Sequence, residues 1–132
     1  MSLRTPQLVT DGWCLEDGEV MHSDAPATFQ LPLRIIREAL QPGDLAKLVF
    51  RIALGPNDEA VERMWVLVRE RLPNGSYFGV LDNEPSSIAQ NDFFWLGAEV
   101  PFEPRHVIDV DQGDDATKSL AAKPPAIAWR RD

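Results

Sequence analysis

Leu45-Ala46-Lys47-Leu48-Val49-Phe50-Arg51-Ile52-Ala53-Leu54 decides the fold class. Alternation places Leu48, Phe50, Ile52 and Leu54 on one face and Lys47 and Arg51 on the other, the period of a half-buried strand and not of a helix. Gly55-Pro56-Asn57-Asp58 follows as a turn. Val61 to Leu72 repeats the alternation, with Met64, Val66 and Val68 on one side and Arg63, Trp65, Leu67 and Arg69 on the other. Pro73-Asn74-Gly75 supplies residues that accept the positive φ of a hairpin turn, so Ser76 to Leu81 is expected to return as a third strand.

Working outward, Leu33, Ile36 and Leu40 fall at helical spacing after Pro32, which suits a first helical turn; the spacing predicts one amphipathic helix over 32–40, packed on the sheet. Pro42-Gly43 ends it, because the residue before a proline avoids the α region. Downstream, Asp82 to Gln90 reads as a capped turn opening a short helix, with Asn83 or Ser86 as the cap. An aromatic cluster follows at Asn91 to Leu96. Glu99-Val100-Pro101-Phe102 is expected on a sheet edge because of its proline, and His106 to Val110 as the last strand. The expected architecture is α+β: a strongly bent antiparallel sheet or small β-barrel with one or two short helices. A doubly wound nucleotide-binding sheet is excluded, since no crossover helices separate the strands. Residues 1–110 form one domain, with segment 1–30 packed on or loosely tied to the body. Residues 111–132 read as a mobile tail in which Ile127 and Trp129 are the side chains available for docking on the body or on a partner.

A chain of 132 residues suffices for one domain with a real core. Its 44% apolar and 26% charged residues exclude a chain disordered throughout, and 11 prolines argue against a bundle of long helices. Thirteen Lys and Arg against 21 Asp and Glu give a net charge of −8, which disfavours duplex nucleic acid as a partner. Cys14, the single cysteine, has no mate for a disulfide, so a reducing cytoplasm is expected. Met1 to Pro6 lacks a secretory apolar stretch, and no segment approaches the roughly 20 apolar residues of a membrane helix; no membrane partner is expected.

Familiar catalytic signatures are missing: there is no Gly-rich phosphate loop, Cys-x-x-Cys, His-Glu-x-x-His or Gly-x-Ser-x-Gly, and no cofactor is expected. The acidic run Asp109 to Asp115 fails as a calcium loop, since Leu120 stands where the bidentate Glu belongs. Cys14 and His22 fall short of a zinc site's four ligands, so no metal is expected. Three constellations remain. His106, beside Arg105, is a candidate general acid or base if Asp82, Glu84 or Glu99 approaches it, which would make the protein a small hydrolase or isomerase. Arg63, Trp65 and Arg69, with Lys47, Arg51 and Tyr77 on neighbouring strands, form a basic aromatic face suited to an anion, a peptide carboxylate or a single nucleic-acid strand. Strand register decides whether those groups share a face, the alternative being a half-buried Trp65 with the arginines paired to Glu38, Glu59, Glu62 or Glu70. Lastly, Asp82, Asn83 and Glu84 sit where a strand end runs into a polar turn that can present hydrogen-bonding groups to a ligand.

Pro42-Gly43-Asp44-Leu45-Ala46-Lys47-Leu48-Val49-Phe50, Glu62-Arg63-Met64-Trp65-Val66-Leu67-Val68, Gly79-Val80-Leu81-Asp82-Asn83-Glu84-Pro85, Val100-Pro101-Phe102 and His106-Val107-Ile108 together resemble the uncharacterised bacterial DUF2314-like domains over residues 42–110. Trp95-Leu96-Gly97-Ala98-Glu99 departs from the second Gly-Asp turn of that family. The resemblance implies a small bacterial cytoplasmic domain with no established activity, cofactor or catalytic residue, and an immunity-like role in which an acidic protein masks a basic partner. With no complete catalytic constellation, the leading expectation is a non-enzymatic binding protein for a protein partner or small ligand.

Overall fold

The computed structural model describes residues 4–131. In chain order its elements are α1 (Leu8–Asp11), β1 (Trp13–Leu15), α2 (Gly18–Asp24), α3 (Arg34–Arg37), β2 (Leu45–Gly55), β3 (Asp58–Arg71), β4 (Tyr77–Leu81), β5 (Glu99–Phe102), a 3-10 turn (Pro104–His106), β6 (Val107–Asp111) and α4 (Asp115–Ala121). Every pairing is antiparallel, in the order β1-β2-β3-β4-β5. β6 shares an edge of β2 with β1: it runs along Leu45 to Leu48, while β1 covers Phe50 to Ile52. The fold is α+β with a strongly curled, half-barrel sheet, as the alternation from Leu45 to Leu81 predicts.

The inner face holds the core. Ala46, Leu48, Phe50 and Ile52 of β2, Met64, Val66 and Val68 of β3, and Tyr77 and Leu81 of β4 belong to one buried cluster. Burying each of the larger groups favours folding by about 1.5–3 kcal/mol. Leu54 leaves that face and is exposed, because the ladder slips between Ala53 and Gly55 at the turn. Curling brings the two ends of the sheet together through aromatic rings: Trp13 of β1 stacks on Phe94, just before β5, at 4.6 Å, and both pack on Phe50.

Four expectations need correction. The helix expected over 32–40 is only one turn, Arg34–Arg37, and it is rotated: Leu40 is buried, whereas Leu33 and Ile36 face solvent. Arg37 takes the inward position, where its Nε donates to the Pro32 carbonyl and its Nη1 to the Pro104 carbonyl and the Glu19 carboxylate. Segment 82–90 contains no helix. Its Ser86 and Ser87 amides and hydroxyls all donate to Glu62 of β3, which pins the segment as a loop over the strand. Tyr77 belongs to the core and not to the basic face, its hydroxyl donating to the Arg37 carbonyl (2.8 Å). The segment read as a mobile tail carries α4, started by a reciprocal Asp114–Thr117 capping pair, and then docks on the body. Ile127 bridges Ala98 beside β5, and Trp129 meets Trp13 edge-on at 5.6 Å.

Candidate functional site

Register brings part of the basic face together. On the outer side of the sheet Lys47 lies opposite Trp65 on one flank and Asp109 on the other, and Val49 lies opposite Arg63. Lys47 Nζ sits 5.5 Å from the Trp65 ring centroid, and the Arg63 guanidinium 5.2 Å from that of Phe29. Lys47, Arg63, Phe29 and Asp109 line a groove of about 130 Å³. Neither cation has a carboxylate within ion-pair distance among the described residues, whereas Arg51 is held by Glu16 and Glu59. Lys47 and Arg63 are diagonal neighbours on the sheet, which puts both on the wall of the one groove.

Arg69 does not join them. It occupies the bulge between Val68 and Glu70, where its Nε donates to the Ala121 carbonyl and its guanidinium lies 3.9 Å from Glu99. A one-residue bulge is invisible to an alternation count, which is why Tyr77 is expected on the wrong face of the sheet and Arg69 as a free cation.

Asn83 is committed to structure: its side-chain oxygen accepts the Trp65 N–H (2.6 Å), while the Asp82 N–H donates to the Trp65 carbonyl. Together they prolong the ladder of β3 past the end of β4. Burial by itself raises the Glu62 pKa, yet the four Ser86 and Ser87 donors prevail and leave it lowered, so the carboxylate is a fixed anchor for this loop. Asp82 and Glu84 are exposed, without side-chain partners among the described residues.

The structure does not bring His106 to either of them. His106 follows β5, whose Phe102 pairs with Tyr77 at the start of β4, whereas Asp82 follows Leu81 at its end. Five residues at about 3.3 Å each put roughly 15 Å between those ends. His106 itself is buried, and its Nδ1 accepts the Glu103 N–H at 3.0 Å. Burial first, and Arg105 second, lower its pKa to about 4, far from the value a general base needs near neutrality.

Cys14 lies opposite Arg51 in the sheet, and His22 Nδ1 contacts the Phe29 carbonyl, so the two are engaged separately. No cluster of three or more His, Cys, Asp or Glu side chains among the described residues is arranged to hold a metal ion. No helix among them is long and apolar enough to cross a membrane.

A feature the sequence reading missed lies on the other side of β6. Leu33, Ile35 and Ile36 are 70%, 74% and 44% exposed, an apolar ridge beside a groove of about 570 Å³. Ile35, Ile36 and Ala39 form one bank; Val110, Asp111 and Lys118 form the other. Asp109, Asp111, Asp114 and Asp115 all stand exposed along β6 and the start of α4. The signal is present in Leu33, Ile35 and Ile36, but helical spacing points Leu33 and Ile36 to the core and leaves Ile35 unassigned.

No protein-family model matches the chain, and neither the curated proteins nor the solved structures contain a match to it.

Proposed function

We propose that this is a non-enzymatic binding protein whose partner is a basic protein, docked through an amphipathic segment in the groove between α3 and β6–α4. One observation carries the reading: three large apolar side chains are left in solvent, two of them lining a groove whose far bank holds Asp111, on a strand and helix start that also expose Asp109, Asp114 and Asp115. Contiguous exposed apolar surface marks interaction sites, and a segment with apolar anchors on one face and Lys or Arg on the other matches both banks. The net charge of −8 speeds encounter with such a partner and disfavours acidic ones. An immunity-like masking of a basic protein, and membership of the DUF2314-like domains, belong to the same proposal.

The test uses Ile35→Asp/Ile36→Asp, at exposed positions where folding is expected to survive. Binding of an amphipathic Lys/Leu peptide is followed calorimetrically. Docking in the groove predicts an affinity loss of about tenfold or more, since both apolar anchors are lost. Simple attraction between opposite charges predicts the reverse, because the variant is more acidic, and tighter binding would reject the reading.

A further inference from the structure

A second cavity shares no lining residue with the α3 groove. It measures about 300 Å³ and lies between the N-terminal segment, β1, the β3–β4 hairpin and the 3-10 turn. We propose that it is a binding site for a small carboxylic acid with a flat apolar body.

Leu15, Pro101 and Phe102 supply an apolar wall, the last two buried in the fold and therefore fixed in position. A cavity of this size, part apolar and with a few converging polar groups, is the ordinary form of a small-molecule site.

The polar groups on the wall are donors. Since the Glu103 N–H occupies Nδ1 of His106, the neutral ring carries its proton on Nε2, which has no partner among the described residues. That side chain is 6% exposed, so the donor is held in place by its surroundings. Asn74 uses its side-chain oxygen to accept the Ser76 N–H, which leaves the Asn74 amide NH₂ and the Ser76 hydroxyl uncommitted. Glu103 is the one carboxylate on the wall, and Arg105 already engages it at 3.1 Å. A ligand therefore has to bring acceptors. Arg4 on the same wall favours a charged acceptor over a neutral carbonyl: Asp11 holds its Nη1, while its Nε is buried without a partner among the described residues; Arg105 is already committed, one terminal nitrogen to Asp17 and the other to Glu103. Bound beside Nε2, a carboxylate would also favour protonation of the ring, which links binding to pH.

The experiment titrates the ¹⁵N-labelled full chain with benzoate and, separately, with benzamide, following the His106 ring nitrogens and the backbone amides of Ser76 and Phe102. The expected result is a saturable shift of Nε2 with benzoate, an affinity at least about tenfold above that for benzamide, and an upward move of the His106 titration. Asn74→Ala/Ser76→Ala changes only hairpin side chains, so it tests the donors without endangering the buried histidine; it should weaken benzoate about tenfold. The absence of a saturable shift up to about 10 mM benzoate, an equal response to benzamide, or unchanged affinity in the double variant overturns the assignment.

Discussion

His106 accepts the Glu103 N–H on one ring nitrogen, deep in the fold, and gives up its ordinary basicity in doing so. Unfolded, the ring binds a proton near pH 6.5; folded, it resists until about pH 4. Between those values the unfolded state holds more protons, so stability falls as pH falls and is fully present above 6.5. The loss approaches about 3 kcal/mol at the acid end of the window. Urea unfolding of the wild type and of His106→Gln from pH 7 to pH 4.5 should show the variant with a visibly shallower decline; equal slopes would mean that the histidine is not the titrating group. From sequence alone, His106 read as a candidate acid or base because neither its burial nor its amide partner can be seen there. Asn83 is the milder case: a short polar side chain at a turn correctly signals that it satisfies a backbone group, but its partner, the Trp65 N–H, lies on another strand.

Among the elements, β2, β3 and β4 were legible because residues 45–81 repeat at period two, a property local to each strand. The bulge after Val68 was not, since one extra residue leaves the alternation on either side looking intact. α3 was misread for a different reason. Its inward residue is an arginine paired with Glu19, 18 positions earlier in the chain, and hydrogen-bonded to two carbonyls, so apolar periodicity points to the wrong face. Tyr77 fixes that docking from the sheet side, donating to the Arg37 carbonyl and accepting the Leu40 N–H at 3.2 Å. Tyr77→Phe strands both backbone groups in the interior and should cost about 1–3 kcal/mol. Denaturant midpoints measure the cost, and the amide spectrum should change first at residues 34–40; a variant as stable as the wild type would show that the hydroxyl does not anchor α3.

For the molecule as a whole, the C-terminal segment closes what the sheet leaves open. Trp129 packs on Trp13 with its backbone N–H on Glu99, while the Arg131 guanidinium lies 3.8 Å above the Phe78 ring on the outer face. Each contact reaches at least 30 positions back along the chain, and the one with Trp13 spans most of it, which is why composition alone makes the segment look unstructured. Trp129→Ala should destabilise the fold by about 2–3 kcal/mol, less than a fully buried Trp would, read from the thermal midpoint; an unchanged midpoint would mean that the segment does not contribute to the core. With the core closed, the apolar ridge of α3 remains outside it, across a groove from Val110, Asp111 and Lys118. The most direct measurement is an NMR titration of the labelled protein with an amphipathic Lys/Leu peptide, mapped residue by residue. Docking in the α3 groove predicts shifts concentrated at Ile35, Ile36, Val110 and Lys118 that fade in Ile35→Asp/Ile36→Asp. Shifts scattered over all the acidic surface, or stronger in the variant, would contradict it.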